Sequence, residues 1–257
     1  TSMEIKCKKA VVIGGASGMG RATAELLAAR GANVAVLDRT ISAGAEVAAA
    51  IGGTFHPVDV TEFDATESAL AAAIDALGGL HVCVTTAGGG IAKRTLGKDG
   101  PHDLESFRQV LELNTVATFN INRLAAVHMS HNEPEDPDTG ERGVIINTSS
   151  IAAFEGQIGQ VAYSAAKAAI AGMSLTMARD LGPLGIRVLA IAPSLFETGA
   201  VTKLSAEMRA ALVKDAAFPK RMGRPEEYAK LVLAIVDNPM LNGQCLRLDA
   251  GQRFAPK

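Results

Sequence analysis

The chain alternates between short, almost continuously apolar segments and longer alanine-rich segments whose apolar residues recur at helical spacing. The clearest apolar segments are rich in β-branched residues and occupy residues 10–13, 34–37, 82–85, 144–147 and 188–191. Parallel strands are covered by helices on both faces, so they are continuously apolar instead of alternating with polar residues. The pattern therefore predicts an α/β fold built from repeated strand–helix–strand units.

Two weaker strand candidates, residues 54–58 and 244–248, bring the predicted number of strands to seven. Thr61 precedes an alanine-rich segment that ends near Leu77, before two glycines, and Asp103 opens another helical segment. We expect a doubly wound, Rossmann-type, seven-stranded and mostly parallel sheet with helices on both faces. A chain of this length and pattern is expected to form one domain, residues 1–257.

Three segments do not continue the strand–helix alternation. Residues 93–102 and 132–142, rich in glycine, proline and charge, are predicted surface loops. Residues 195–224 begin polar and then carry apolar side chains, which favours a substrate lid over a surface helix packed on the sheet. Those apolar side chains are Leu204, Met208, Leu212, Val213 and Phe218.

Composition excludes several classes of function. With 48% hydrophobic and 20% charged residues, the chain can form a large core and shows no sign of disorder. A formal net charge of −2 provides no broad cationic field for nucleic acid. No apolar run approaches the ~20 residues that span a bilayer. We therefore expect neither a nucleic-acid nor a membrane partner.

Cysteine and histidine are sparse and scattered. Cys7, Cys83 and Cys245 lie far apart, without the close pairing typical of metal or redox motifs. They indicate a reducing compartment; we expect the cytoplasm, with the mitochondrial matrix as the alternative if a targeting segment has been removed. The five histidines show no metal-ligand spacing, so no metal site is expected.

A glycine-rich turn joins the first predicted strand to the first helix. Gly14, Gly18 and Gly20 give the spacing GxxxGxG, with Ser17 and Met19 between them. Glycines in such a turn let backbone NH groups and the positive helix end approach a pyrophosphate. At a first strand–helix junction this turn predicts a dinucleotide-binding site.

An acidic residue ends the second predicted strand. Asp38 can accept hydrogen bonds from the adenosine ribose and repel a 2′-phosphate, which favours NAD over NADP. Arg39 next to it could instead accommodate that phosphate, although a solvated surface arginine is the simpler interpretation. Asp59, beside Val60, is either a contact to the adenine amino group or a helix N-terminal carboxylate.

The stretch from Asn147 to Gly172 carries the candidate catalytic group. Ser150 ends a predicted strand, and Tyr163 and Lys167 lie four residues apart, on one face of the following helix. A phenol titrates near pH 10, so a neutral-pH base needs its pKa lowered by roughly three units, which an adjacent ammonium favours. We expect Ser150 to bind the substrate oxygen, Tyr163 to transfer the proton and Lys167 to lower the phenol pKa.

The glycine turn, Asp38, Ser150 and the Tyr-x-x-x-Lys pair, in this order and spacing, resemble the short-chain dehydrogenase/reductase family over essentially the whole chain. The resemblance implies an NAD-dependent oxidoreductase that interconverts a secondary alcohol and a ketone. It also implies that Asn114 is a fourth catalytic residue, kinking a helix and holding a water that links Lys167 to solvent. Further cofactor contacts are expected at Val60, Ala87, Gly88, Pro193 and Thr198, beside Tyr163 and Lys167 themselves.

Several further stretches, among them 153–157 and 191–193, resemble one group within the family, which oxidises short, often branched 3-hydroxyacyl-CoA thioesters. That resemblance implies a homotetramer and a place in fatty acid metabolism. It implies that Gln157 and Gln160, with Ser150, contact the substrate. Nearby cations could meet the CoA phosphates, although simple solvation explains them as well: Lys93, Arg94, Lys98, Lys203 and Arg209.

The sequence departs from the family pattern at three places, occupied by Ile13, by Thr85 and Thr86, and by Ser194. The first two places are expected to loosen polar contacts that brace the central strands, and the third removes a glycine near the nicotinamide. Two alternatives to thioester oxidation stay open. One is a steroid or other secondary alcohol as substrate; the other is a catalytically silent module that binds NAD.

Overall fold

The structure, a computed structural model, describes residues 3–135 and 137–257. Thr1 and Ser2, at the start of the predicted domain, and Asp136, inside the predicted loop 132–142, lie outside the described residues. The strands are β1 (Lys9–Ile13), β2 (Asn33–Asp38), β3 (Thr54–Pro57), β4 (Val82–Thr85), β5 (Leu96–Gly97), β6 (Gly100–Pro101), β7 (Gly143–Thr148), β8 (Ile186–Pro193) and β9 (Cys245–Leu248).

Seven of these strands form one sheet, in the order β3-β2-β1-β4-β7-β8-β9, and every neighbouring pair is parallel. The predicted doubly wound architecture is confirmed. The strand order reverses direction at β1, so the loops after β1 and β4 diverge at the carboxyl edge of the sheet. In sheets of this kind, ligands bind at that point of divergence.

Eight α-helices join these strands within the described residues, and their ends follow local chemistry. The Asp103 carboxylate accepts a hydrogen bond from the Ser106 backbone NH at 2.7 Å, so Asp103 caps its helix as predicted. Gly78 ends another helix at φ 72°, a left-handed conformation that favours glycine. The helices are α1 (Gly18–Ala29), α2 (Gly44–Ala50), α3 (Phe63–Leu77), α4 (Leu104–Leu111), α5 (Ala117–Ser130), α6 (Val161–Leu181), α7 (Ala206–Leu212) and α8 (Pro225–Asp237).

The sheet separates two buried apolar layers. Successive side chains of a strand point to opposite faces, so alternate residues enter different layers. On β7, Val144 and Ile146 pack into the layer that contains α1, α2 and α8, whereas Ile145 packs into the layer of α3, α5 and α6. This two-sided burial explains the continuous apolar runs in the sequence.

Two predicted segments differ in detail from the structure. The predicted loop 93–102 contains the antiparallel pair β5 and β6, too short to leave a periodic signal. Residues 195–224 hold only a 3-10 turn (Gly199–Lys203) and the two-turn helix α7. Of their apolar side chains, Val213 is buried, whereas Phe218 is 84% exposed.

At the amino edge of the sheet, Arg187 of β8 is buried and fully engaged. Its Nε donates to Glu141 Oε1 at 2.7 Å, and both side chains are almost inaccessible to solvent. Its two terminal nitrogens donate to backbone carbonyls at the end of α8 and just beyond it: Ile235, Val236, Asn238 and Leu241. The guanidinium thus supplies further donors to the carbonyls at a helix end, where intrahelical donors run out.

No helix in the described part of the chain combines the length and the apolar character needed to cross a bilayer.

Candidate active site

A cavity of about 720 Å³ opens at the carboxyl edge of the sheet, where the loops after β1 and β4 diverge. All the residues predicted to bind the cofactor line it, together with Ser150. Those cofactor residues are Gly14, Ser17, Gly18, Met19, Gly20, Asp38, Arg39, Asp59, Val60, Ala87, Gly88, Tyr163, Lys167, Pro193 and Thr198.

The glycine turn has backbone conformations and close contacts that require glycine. Gly14 and Gly18 have φ values of 81° and 52°. A Cβ on Gly20 would lie 2.1 Å from the Gly14 carbonyl oxygen, and a Cβ on Gly18 would lie 2.9 Å from Thr198 Cγ2. The turn leads into the amino end of α1, whose unpaired NH groups and dipole suit a phosphate. The cradle therefore fits a pyrophosphate.

Two carboxylates, those of Asp38 and Asp59, also line the cavity. Asp38 accepts hydrogen bonds from the backbone NH of Ala16, at 3.0 Å, and of Arg39, at 2.8 Å, which fixes the carboxylate beside the glycine turn. Asp59 accepts from the backbone NH and hydroxyl of Thr61, at 2.9 and 2.7 Å, and these hydrogen bonds lower the pKa of its carboxyl group. Both interpretations of Asp59 are thus compatible with its position.

The loop after β4 is braced by a residue that departs from the family pattern. The Thr86 hydroxyl lies 3.0 Å from the Ile13 carbonyl and 3.2 Å from the Gly14 carbonyl, and donates toward them. The expected loosening is therefore countered by Thr86, which connects this loop to the end of β1. Ile13 contributes its backbone to this contact, so its apolar side chain remains available for packing.

Ser150, Tyr163 and Lys167 come together in the wall of the cavity. Ser150 follows β7, and its Oγ accepts from the Ala152 backbone NH at 3.1 Å. Lys167 Nζ lies 5.7 Å from the centroid of the Tyr163 ring, one helical turn away, and donates to the Thr148 carbonyl at 2.9 Å. The Ser149 hydroxyl donates to the Lys167 carbonyl at 2.7 Å, which joins this part of α6 to the end of β7.

Burial changes the acidity of both groups. It lowers the pKa of Lys167 to about 8, because a buried ammonium loses its hydration. Burial raises the pKa of Tyr163, and a hydrogen bond with Ser150 only partly opposes this. The two causes of the Tyr163 shift are burial and Ser150, so the lowering of the phenol pKa by Lys167 stays a prediction.

Asn114 lies behind the cavity, in a π-helical turn (Glu112–Val116) between α4 and α5. Its Nδ2 donates to the Gly89 and Val110 carbonyls at 2.7 and 2.8 Å, and its Oδ1 accepts from the Gly89 NH at 3.2 Å. The extra residue of a π turn interrupts the regular helix, as such turns often do at functional sites. Asn114 thereby joins the helix to the loop that carries Gly88.

Gln157 and Gln160 lie away from the main cavity, on a second, more open cavity of about 460 Å³ that also contains Arg94 and Ser164. Gln157 Nε2 donates to the Ala255 carbonyl at 3.1 Å, and Gln160 Oε1 accepts from the Gln157 backbone NH at 2.9 Å. These hydrogen bonds hold the two glutamines in the wall of the second cavity.

Two of the cations considered for the CoA phosphates have partners within the protein. Lys93 forms an ion pair with Asp103, and Arg209 Nε donates to the Leu204 carbonyl at 3.1 Å. Among residues 3–135 and 137–257, no group of three or more histidine, cysteine or acidic side chains could hold a metal ion.

Sequence reasoning missed part of the cavity wall. Most of the missed residues lie within two positions of a predicted site residue, so extending each motif by that distance would have found them. The missed residues are Ile13, Val58, Thr61, Thr86, Gly89, Leu113, Thr148, Ser149, Ser194, Leu195, Phe196, Gly199 and Val201.

Comparison with known proteins agrees with this geometry. The model of the short chain dehydrogenase family matches residues 8–209. The chain is 49% identical over 256 residues to a Drosophila melanogaster protein named 3-hydroxyacyl-CoA dehydrogenase type-2, covering 98% of this chain and 100% of the relative. The human protein of that name is 48% identical, with 98% and 97% covered.

Solved structures show the same similarity. The 3-hydroxyacyl-CoA dehydrogenase type-2 from Mycobacterium avium has a TM-score of 0.93 and 39% identity, with 98% of each chain covered. A 7α-hydroxysteroid dehydrogenase complexed with NADH and 7-oxo glycochenodeoxycholic acid has a TM-score of 0.85 and 28% identity, covering 98% of this chain and 96% of that one.

Proposed function

Because the chain belongs to the short chain dehydrogenase family and is an oxidoreductase, we propose that it oxidises a short 3-hydroxyacyl-CoA thioester with NAD. The observation that carries this proposal is the meeting of Ser150, Tyr163 and Lys167 in a cavity that also contains the glycine turn. The name shared by relatives 49% and 48% identical to the chain supports the substrate class.

The cavity suits a nicotinamide dinucleotide. Its pyrophosphate would lie against Gly14, Ser17, Gly18 and Gly20, because these residues line the cavity where the glycine turn leads into the amino end of α1. Asp38 would hold the adenosine ribose and repel a 2′-phosphate, which favours NAD over NADP. When bound, the oxidised dinucleotide supplies the hydride acceptor for the carbinol carbon. We expect kcat/KM to be higher with NAD than with NADP, and replacement of Asp38 by alanine to narrow the difference.

We assign the proton chemistry to the three central side chains. Ser150 binds the substrate oxygen, and the Tyr163 phenolate takes the proton of the substrate hydroxyl as the carbonyl forms. Lys167 favours the phenolate by its positive charge and holds the nicotinamide ribose, while Asn114 fixes the loop behind Lys167. Since burial alone raises the pKa of Tyr163, this role requires Lys167 to be an ammonium when the site works.

The Tyr163→Phe variant tests this assignment directly. It removes the proton acceptor and leaves the ring that fills the site. We expect turnover to fall by about 10³-fold, whereas NADH affinity, measured by fluorescence titration, changes little. Unchanged turnover would refute the proton transfer.

We propose that the second cavity takes the rest of a thioester substrate. Gln157 and Gln160 lie on its wall, and Arg94 offers a cation for an anionic group of CoA. The alternative is a steroid or other secondary alcohol, favoured by the similarity to the 7α-hydroxysteroid dehydrogenase. Initial rates with 3-hydroxybutyryl-CoA, 2-methyl-3-hydroxybutyryl-CoA and a steroid panel decide between them. Turnover of steroids without turnover of either thioester would exclude the thioester proposal.

We propose residues 195–224 as a lid within a single domain that extends over 1–257. The two ends of the segment are held together, since Glu197 NH donates to the Gly223 carbonyl at 2.8 Å and Gly223 NH to the Leu195 carbonyl at 2.9 Å. Between them, α7 is exposed, while Leu195 and Phe196 line the cavity. Hydrogen exchange within the segment should slow when NADH is added; an unchanged rate would count against the lid.

We further propose that the enzyme is a homotetramer. Val116, Phe119 and Val127 are exposed along one face of the π turn and α5, an apolar surface that a second copy could cover. Light scattering after size exclusion measures the mass. Replacement of Phe119 by glutamate should shift it toward smaller species, and a monomeric wild type would end the proposal.

For the compartment we propose the reducing cytoplasm, with the mitochondrial matrix as the alternative. The three cysteines are free, and burial raises the pKa of Cys83 to about 12, so its thiol is unreactive. Cell fractionation with an antibody against the protein distinguishes the two compartments.

A further inference from the structure

Thr148 is the last residue of β7 and contacts both sides of the sheet. Its backbone carbonyl accepts the hydrogen bond from Lys167 Nζ at 2.9 Å. Its side chain follows the alternation of Val144 and Ile146 and therefore faces the opposite layer, toward α8. There the hydroxyl lies 2.7 Å from the hydroxyl of Tyr228, which is fully buried.

The direction of these hydrogen bonds follows from proton counting. The Thr148 hydroxyl donates to the Thr85 carbonyl at 2.7 Å, and a carbonyl can only accept. A threonine hydroxyl has one proton, so in its contact with Tyr228 it must accept, and the Tyr228 phenol donates. Burial raises the pKa of Tyr228, which keeps that phenol protonated throughout the range in which Lys167 titrates. The order of donation is thus Tyr228 to Thr148 to Thr85.

The hydroxyl of Thr148 extends the connection between β4 and β7 beyond the end of their backbone ladder. The β4 ladder pairs Val82–Thr85 with 144–147 and ends there, one residue before Thr148. On the β4 side, the hydroxyl of Thr148 therefore provides the connection that a backbone ladder would otherwise provide. On the β8 side, the backbone ladder still includes Thr148, paired with Ile191. Tyr228 fixes the rotamer that makes the connection to Thr85.

We propose that Tyr228, acting through Thr148, is a positioning residue for Lys167. It holds the strand end whose carbonyl is the hydrogen-bond acceptor of the ammonium. This role rests on the proposed function, because it matters for catalysis only if Lys167 supports Tyr163. Both tyrosines of the chain would then act with Lys167. Tyr163 contacts it at the substrate, and Tyr228 acts from the layer on the opposite face of the sheet.

The surroundings of Lys167 make its titration a clean measure of this role. Lys167 lies over the ring of Tyr163, which is on the same helix, and its Nζ donates to the Thr148 carbonyl of β7. Gly88 is also close, since a Cβ placed on it would lie near both Lys167 Nζ and the neutral amide of Asn114. Tyr163 is the titratable side chain among these groups. Desolvation is the cause that lowers the pKa of Lys167, and the Thr148 carbonyl works against it by favouring the charged form.

The first test follows Lys167 by NMR in protein labelled with ¹³C-lysine, with its resonance assigned by its loss in Lys167→Met. In wild type we expect a pKa of about 8. In Tyr228→Phe the carbonyl is held less firmly, so the pKa should fall further. The matched control is Ser174→Ala, which deletes a buried hydroxyl on α6, the helix of Lys167 itself. It should leave the pKa of Lys167 unchanged.

The second test is kinetic. Thr148→Val removes the hydroxyl at nearly constant volume, and it should lower kcat by roughly three- to tenfold, as should Tyr228→Phe, since each removes the same connection. The double variant should cost no more than either single one. Thr148→Ser, which keeps the hydroxyl, should return the wild-type dependence of kcat on pH. KM for the hydroxy substrate should stay constant throughout.

Some results would overturn the proposal. If Tyr228→Phe lowers Tm but leaves both the Lys167 titration and the pH dependence of kcat as in wild type, Tyr228 only packs α8 against the sheet. Additive losses in the double variant would also refute it. The NMR titration needs no substrate, so inactivity of the wild type toward every thioester would refute the proposed function and leave this test intact.

Discussion

Lys167 and Arg187 are both buried cations, but they lie at opposite edges of the same sheet and are solvated very differently. Arg187, at the amino edge, has a carboxylate partner and donates to four backbone carbonyls. Lys167, at the carboxyl edge, donates to the Thr148 carbonyl and lies over a phenol ring. One cation is fully paired by the protein; the other retains hydrogen-bonding capacity.

The difference shows how the same burial can serve stability or chemistry. A guanidinium with a carboxylate and four carbonyls as partners fixes the end of α8. A lysine with few partners has a pKa of about 8, so its charge can respond to what enters the cavity. We expect removal of the first to affect folding and removal of the second to affect turnover.

The largest expected effect is that of Lys167→Met. The methionine fills the same space without a charge, so turnover should fall by about 10³- to 10⁴-fold, or about 4–5.5 kcal/mol of transition-state stabilisation. The free energy of unfolding should stay constant or rise, because a buried ammonium with few partners is removed. Steady-state kinetics and urea denaturation measure the two quantities. A large loss of stability in Lys167→Met would contradict the view that Lys167 serves turnover and not folding.

Arg187→Met should show the opposite pattern. It leaves the Glu141 carboxylate buried without its partner and deprives the end of α8 of its donors, so we expect a loss of about 4 kcal/mol in the free energy of unfolding. Activity per folded molecule should persist. Arg21→Met, which removes an exposed ion pair with Glu25, is the control and should cost well under about 1 kcal/mol. Equal losses of unfolding free energy in Arg187→Met and Arg21→Met would refute the structural role of Arg187.

The dependence of the free energy of unfolding on pH is a further test of the difference between Lys167 and Arg187. The folded-state pKa of Lys167 lies below its ordinary value, so the cost of burying the ammonium is present below about pH 8 and is relieved as the pH rises toward 10.5. Relative to Lys167→Met, the wild type should gain up to about 3 kcal/mol over that range. Urea denaturation at intervals of pH measures it. A constant difference between the two proteins would show that Lys167 is not desolvated.

The smallest effect is expected from Glu141→Gln. The amide keeps the oxygen that Arg187 contacts and removes the charge, so the loss should be about 1–3 kcal/mol, clearly less than for Arg187→Met. Thermal unfolding monitored by circular dichroism is sufficient here. A loss as large as that of Arg187→Met would mean that charge, rather than the network of carbonyls, holds the amino edge together.

The strands, their order of appearance and most of the site follow from sequence because each depends on local chemistry. Continuous apolar runs mark the buried strands, and glycine positions reveal the turn between β1 and α1. Asp38, Ser150 and Tyr163 follow strand ends or share a helix face with a partner four residues away. Parallel strands then bring these loops to one edge of the sheet without any further information.

The remaining features depend on contacts between distant residues. Nothing local pairs Thr148 with Tyr228, eighty positions further along, or Arg187 with Glu141. The direction of the Tyr163 pKa shift could not be predicted either, because it depends on how deeply the packed helix buries the phenol. Gln157 was assigned to the substrate by resemblance, and the hydrogen bond to the Ala255 carbonyl that fixes its side chain involves the far end of the chain.

The placement of the two tyrosines has an optical consequence. The chain has no tryptophan, and its tyrosines are Tyr163 and Tyr228, on the two sides of Thr148. Intrinsic fluorescence therefore originates within a small volume around one strand end, instead of reporting on the whole molecule. In Tyr228→Phe the emission comes from Tyr163 alone, so the natural chain already contains a single-site fluorophore at the proposed catalytic group, with no label attached.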